Sequence, residues 1–94
     1  MESFDDPIIN LNASEGILLI SGVSMMENTI EHYQDIKNDL AHYLLNEERP
    51  ITVTFELIYF NSSTAKQFIQ LLSKLEDSKK EHRVIWKYPT SHSI

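Results

Sequence analysis

Residues 51–60 alternate as a half-buried strand does, with Ile51, Val53, Phe55, Leu57 and Tyr59 on one face and Thr52, Thr54, Glu56, Ile58 and Phe60 on the other. By this phase Tyr59 is expected in the core and Phe60 on the more open side. The second face is polar over its first half and apolar only at its end. That pattern predicts a sheet covered by helices on one side and partly open on the other. Directly after the strand, Ala65, Phe68, Ile69, Leu72 and Leu75 recur at three- and four-residue spacing, the period of a helix with one buried face running to about Asp77. An earlier stretch, from Glu27 or Asn28 to about Asn46, has the same period. There Ile30, Tyr33, Ile36 or Lys37, Leu40 and Leu44 share a face, and Glu31, Asp35, Asn38 and His42 lie mainly off it.

The remaining segments are shorter. Residues 7–12 and 17–21 read as two strands joined by Ala13-Ser14-Glu15-Gly16, a hairpin in which Gly16 supplies a positive φ and Pro7 suits an edge. Residues 22–26 are expected to be a connector. Glu47-Glu48-Arg49-Pro50 is a polar loop whose proline stops the preceding helix. Residues 78–82 turn the chain into a last strand at 83–88, and residues 89–94 carry no pattern. The order ββαβαβ places parallel strands on either side of each helix. The expected fold is therefore of the α/β (α+β) class, a small mixed four-stranded sheet with two main helices packed on one face.

Composition narrows the functions open to such a fold. At 94 residues the chain is expected to be a single domain spanning 1–94, with room for one core. A net charge of −6 argues against a nucleic-acid surface, because phosphate backbones require a basic patch. Lys79, Lys80 and Arg83 form the one local basic cluster, and Glu81 interrupts it; they read as a solvated helix end. There is no cysteine, so disulfides and thiolate chemistry are excluded. The acidic start Met1-Glu2-Ser3-Phe4-Asp5-Asp6 is unlike a basic signal-peptide region, and no apolar run reaches the length of a membrane span. A cytoplasmic protein without membrane insertion is expected.

Catalysis has no visible constellation. His32, His42, His82 and His92 lack partners at ligand or base spacing, and the two on the first helix lie ten residues apart, almost three turns. Asp5-Asp6 and Glu47-Glu48 fall in loops, where solvated charge is the simpler account. With Gly16 and Gly22 as the only glycines there is no phosphate-cradling loop. We therefore expect no enzyme, no cofactor and no metal.

The chemistry concentrates where the long strand runs into the second helix, at Asn61-Ser62-Ser63-Thr64. Such residues are preferred helix caps, and Thr64 with Gln67 has the spacing of a capping box. Three consecutive hydroxyls exceed what one cap needs. They also sit beside the unpaired N–H groups and the positive dipole end of a helix, where an anion is favoured.

Two stretches resemble the SiaC-like bacterial regulatory phosphoproteins, which are similar in design to the STAS domains of anti-sigma-factor antagonists. Gly22-Val23-Ser24-Met25-Met26-Glu27-Asn28, with Tyr33 after it, resembles that family's G-x-S-x-x-E-N followed by an aromatic pair. Tyr59-Phe60-Asn61-Ser62-Ser63-Thr64-Ala65-Lys66 resembles its Y-[FL]-N-T-S-S-x-K, and the Trp86-Lys87-Tyr88 strand and the order of elements also match. The resemblance implies a STAS-like fold and a partner switch. A protein kinase modifies the hydroxyl after the asparagine, a metal-dependent phosphatase of the PP2C type removes the phosphate, and the unmodified form binds and activates a diguanylate cyclase. Carried across, the acceptor falls on Ser62, with serine where the family usually has threonine; Ser63 and Thr64 are its rivals. Glu27, Asn28, Phe60, Asn61, Ser63 and Lys66 are the residues expected to form the partner surface. An anti-sigma factor as the partner, or a purely structural or oligomerising domain whose hydroxyls only cap a helix, are the competing readings.

Overall fold

The computed structural model describes residues 7–25 and 28–87. Its elements run β1 (Ile8–Asn12), β2 (Ile17–Ser24), α1 (Thr29–Asn46), β3 (Ile51–Phe60), α2 (Ser62–Ser78) and β4 (His82–Trp86). One four-stranded sheet has the order β1-β2-β3-β4. β1 pairs antiparallel to β2, and β2–β3 and β3–β4 pair parallel, so the expected mixed sheet with two helices is the observed one.

The hairpin between β1 and β2 turns as predicted at Gly16, whose φ is +71°. A side chain there would also collide with the rest of the fold, because a Cβ would lie 2.5 Å from the Pro50 carbonyl oxygen. That close approach lets Thr52 N–H donate to Gly16 O at 2.8 Å, aligning the start of β3 with the start of β2.

The core lies between the sheet and both helices. Leu18 and Ile20 of β2 and Val53 and Phe55 of β3 meet Tyr33, Ile36 and Leu40 of α1 and Phe68, Leu71 and Leu75 of α2, all buried. Phe55 packs on Phe68 at 4.6 Å between ring centroids and stacks on Trp86 at 4.2 Å. The opposite face of the sheet carries the exposed Ile8, Ile17 and Ile58, in keeping with the partly open side expected from β3.

Four sequence expectations are corrected. β2 continues through Gly22 to Ser24 instead of giving way to a connector, because these residues find partners on β3: Gly22 opposite Leu57, Val23 opposite Tyr59 and Ser24 opposite Phe60. In that pairing Ile58 is skipped, a bulge that reverses the alternation of β3. Tyr59 is consequently 54% exposed, whereas Phe60 turns to the helix side, 5.4 Å from the Phe68 ring. Both helices are rotated from the predicted face. Ile30 and Ile69 are exposed, and Thr29, Tyr43, Thr64, Gln67 and Leu71 are buried in addition to the expected apolar positions. Finally, β4 begins at His82, and Tyr88, placed in the last strand by the sequence, lies outside the described residues.

Candidate functional site

Asn61 is the pivot between β3 and α2. Its backbone is extended (φ −92°, ψ 176°), and its Oδ1 accepts the Thr64 N–H at 2.9 Å while its carbonyl accepts the Ala65 N–H at 3.0 Å. Asn61 is thus the N-cap, and Thr64 is the third helical residue rather than a cap paired with Gln67. The Asn61 N–H donates to Ser24 O at 3.1 Å, which fastens the turn to the end of β2.

The three hydroxyls that follow are not equivalent. Thr64 is fully buried. Its Oγ1 donates to Ser24 O at 3.0 Å and lies 2.7 Å from Ser24 Oγ, which is itself 2.8 Å from the Tyr33 phenol oxygen. In the contacts of Ser24 Oγ with Thr64 Oγ1 and with the Tyr33 phenol either oxygen can be the donor. The linked hydroxyls of Tyr33, Ser24 and Thr64 tie α1, β2 and α2 together beneath the turn. Burial raises the Tyr33 pKa above the ordinary phenol value, outweighing the opposite effect of the Ser24 hydrogen bond.

Ser62 and Ser63 are exposed, and among the described residues neither side chain makes a hydrogen bond. They occupy the first turn of α2, which contains no acidic residue, so nothing on that turn offsets the positive end of the helix dipole. The start of α1 stands beside them: Thr29 Oγ1 donates to Ser63 O at 3.5 Å. Asn28 caps α1, accepting from Glu31 N–H at 3.4 Å and donating through Nδ2 to Glu31 Oε1 at 2.8 Å. The sequence-predicted residues Asn28, Asn61, Ser62, Ser63 and Lys66 therefore gather around two neighbouring helix starts. Asn28, Ser63 and Lys66 line one pocket of about 210 Å³. Phe60 stands apart, directed into the aromatic cluster with Phe68 and Trp86. Glu27 lies outside the described residues.

Ser24 and Tyr33 were part of the sequence resemblance without an assigned role. The distance of 40 residues between Ser24 and Thr64 hid their contact, and only the pairing of β2 with β3 brings them together. Among the described residues, no three His, Asp or Glu side chains converge as a metal site requires, and no helix is long and apolar enough to cross a membrane.

Against known proteins, the chain matches the family model of the SiaC family regulatory phosphoproteins over residues 2–93. An uncharacterised protein of Pseudomonas aeruginosa strain UCBPP-PA14 is 27% identical over 85 residues, covering 87% of this chain and 68% of that protein. Apo-SiaC from Pseudomonas aeruginosa superposes with a TM-score of 0.88 at 24% identity, over 96% of this chain and 77% of that one. The structure of the diguanylate cyclase SiaD in complex with its activator SiaC, from the same organism, gives 0.88 at 23% identity, over 98% and 78%.

Proposed function

Because the chain belongs to the SiaC family of regulatory phosphoproteins, we propose that it is a non-enzymatic partner switch in bacterial signalling, controlled by phosphorylation at the first turn of α2. The acceptor is Ser62, with Ser63 as the accessible rival. The observation that carries this reading is the division within the hydroxyl cluster: Ser62 and Ser63 are exposed, whereas Thr64 is fully buried and held by Ser24. A kinase can reach the first two without opening the core.

The physical consequence follows from the position. A phosphate adds about −1.5 to −2 charges at neutral pH. At a helix N-terminus such charge is favoured by roughly 0.3–1 kcal/mol, so the fold survives the modification. A partner seated over Asn28, Ser62, Ser63 and Lys66 meets new bulk and charge on a chain already at −6. Modification therefore changes binding far more than stability. The partner in this reading is an effector that the unmodified form binds, a diguanylate cyclase by analogy with the SiaD complex of the related SiaC. A protein kinase and a PP2C-type phosphatase set the state of the switch.

Site-resolved mass spectrometry on the protein purified from its native cells, with affinity capture from the same lysate, tests this. Phosphate on Ser62 or Ser63, and a diguanylate cyclase recovered with the unmodified form alone, is the expected result. Absence of phosphate from both serines across growth conditions would reduce the hydroxyl cluster to a helix cap. An anti-sigma factor on the column would move the chain to the antagonist reading.

A further inference from the structure

The pocket between the two helix starts is lined by Asn28, Thr29, Ile30, Ser63, Lys66 and Gln67. Gln67 is 3% exposed, yet its Oε1 has no hydrogen-bond partner, an unusual condition for a buried amide. The other end of the amide, Nε2, is the accessible end and makes no hydrogen bond among the described residues, so it can donate without any turn of the group. Lys66 is exposed and, among the described residues, has no ion-pair partner. Ser63, Lys66 and Gln67 stand at i, i+3 and i+4 on α2, the spacing that puts three side chains on one helix face. Across from them, Thr29 and Ile30 are the first two residues of α1, whose N–H groups have no partner within the helix. The nearest acid on α1, Glu31, is engaged with Asn28 and lines a neighbouring pocket with His32 and Asp35.

These groups share one preference. An ammonium, an amide able to donate and the positive ends of two helices all favour an anion with several acceptor oxygens. We propose that this pocket is a receptor in cis for a phosphoryl group carried by the hydroxyl turn, with Lys66 and Gln67 as its ligands and the start of α1 closing the far side; the proposal rests on the reading that this turn is the phosphorylated one. In the unmodified protein the pocket is open to a partner. In the modified protein the phosphate fills it and draws the starts of α1 and α2 together, so the switch acts by occupying the docking site as well as by repulsion.

The test builds phosphoserine into the full chain during translation, at position 62, at 63, or at the exposed Ser73 on the same helix as a control. The second ionisation of each phosphate is then followed by ³¹P NMR. A free phosphate monoester titrates near pH ~6. For the phosphate at 62 or 63 the midpoint is expected to fall below the Ser73 control by on the order of one unit. Lys66→Met should return it to the control value and Gln67→Leu part of the way, and the Gln67 side-chain amide signals should shift on phosphate incorporation. Midpoints at 62 and 63 equal to that of the control, or a lowered midpoint insensitive to Lys66→Met, would overturn the proposal. Because the phosphate is built in during translation, this outcome is independent of whether a kinase acts on the turn in cells.

Discussion

Replacing Thr64 by valine keeps the shape of the side chain and removes two hydrogen bonds at once. The bond donated to Ser24 O at 3.0 Å and the bond with Ser24 Oγ at 2.7 Å both disappear, and a methyl group takes their place at a fully buried site. At about 0.5–1.5 kcal/mol for each buried hydrogen bond, the cost is about 1–3 kcal/mol. An unfolding entropy of roughly 2.1 cal/mol/K per residue over this chain is about 0.2 kcal/mol/K, so the midpoint should fall by about 5–15 °C. Circular dichroism melts of the two proteins, with chemical denaturation to check that m is unchanged, give the comparison. Tyr33→Phe should cost less, since it removes one hydrogen bond, that with Ser24 Oγ, instead of two. The double variant should cost less than the sum of the two, because both act through Ser24. A Thr64→Val protein that melts within about 2 °C of the parent would refute the relay as a structural strut. The same variant separates acceptor from strut: kinase labelling should persist in it and be lost in Ser62→Ala.

Three other perturbations follow from the same geometry. Asn61→Ala removes the cap of α2 and should destabilise by about 0.5–2 kcal/mol, measurable by urea unfolding. Gly16→Ala places a Cβ 2.5 Å from the Pro50 carbonyl at a φ of +71° and should cost at least about 2 kcal/mol, or abolish soluble expression, where Gly22→Ala, strained by a φ of +96° but meeting only ordinary van der Waals contacts, is milder. The raised pKa of Tyr33 means that above pH ~10 the unfolded chain loses the phenol proton before the folded chain does. Unfolded chains then bind fewer protons, so stability declines as pH rises from there toward the folded value, and Tyr33→Phe should flatten that part of the profile in pH-dependent urea melts.

Local periodicity made most of the fold legible. β3, the extents of both helices and the Gly16 turn could be read from neighbouring residues, because alternation, three- to four-residue spacing and turn chemistry are short-range signals. The failures at the ends of β2 and β3 have one physical source. The bulge at Ile58, the extension of β2 to Ser24 and the exchange of Tyr59 for Phe60 in the interior all depend on how β2 and β3 align, a non-local pairing that no window of the sequence contains. The helix start at the candidate site was legible in its position but not in its internal order. Asn61 to Thr64 announced a helix start, yet nothing in three adjacent hydroxyls distinguishes the one that is buried. The distinction comes from Ser24 and Tyr33 reaching beneath the turn. Gln67, polar at a buried position of α2, could have been noticed as an interruption of the apolar face, but its missing partner is visible only in three dimensions.

The central claim is that one surface turn decides whether a partner binds while the fold stays the same. Its most direct test is the affinity of the proposed diguanylate cyclase partner for the unmodified chain and for the chain carrying phosphoserine at position 62, measured by calorimetry beside thermal melts of both. The account predicts tight binding by the first, loss of at least about tenfold in affinity by the second, equivalent to about 1.4 kcal/mol, and closely similar melting temperatures. Equal affinities for the two forms, or a phosphorylated chain that no longer folds, would contradict it.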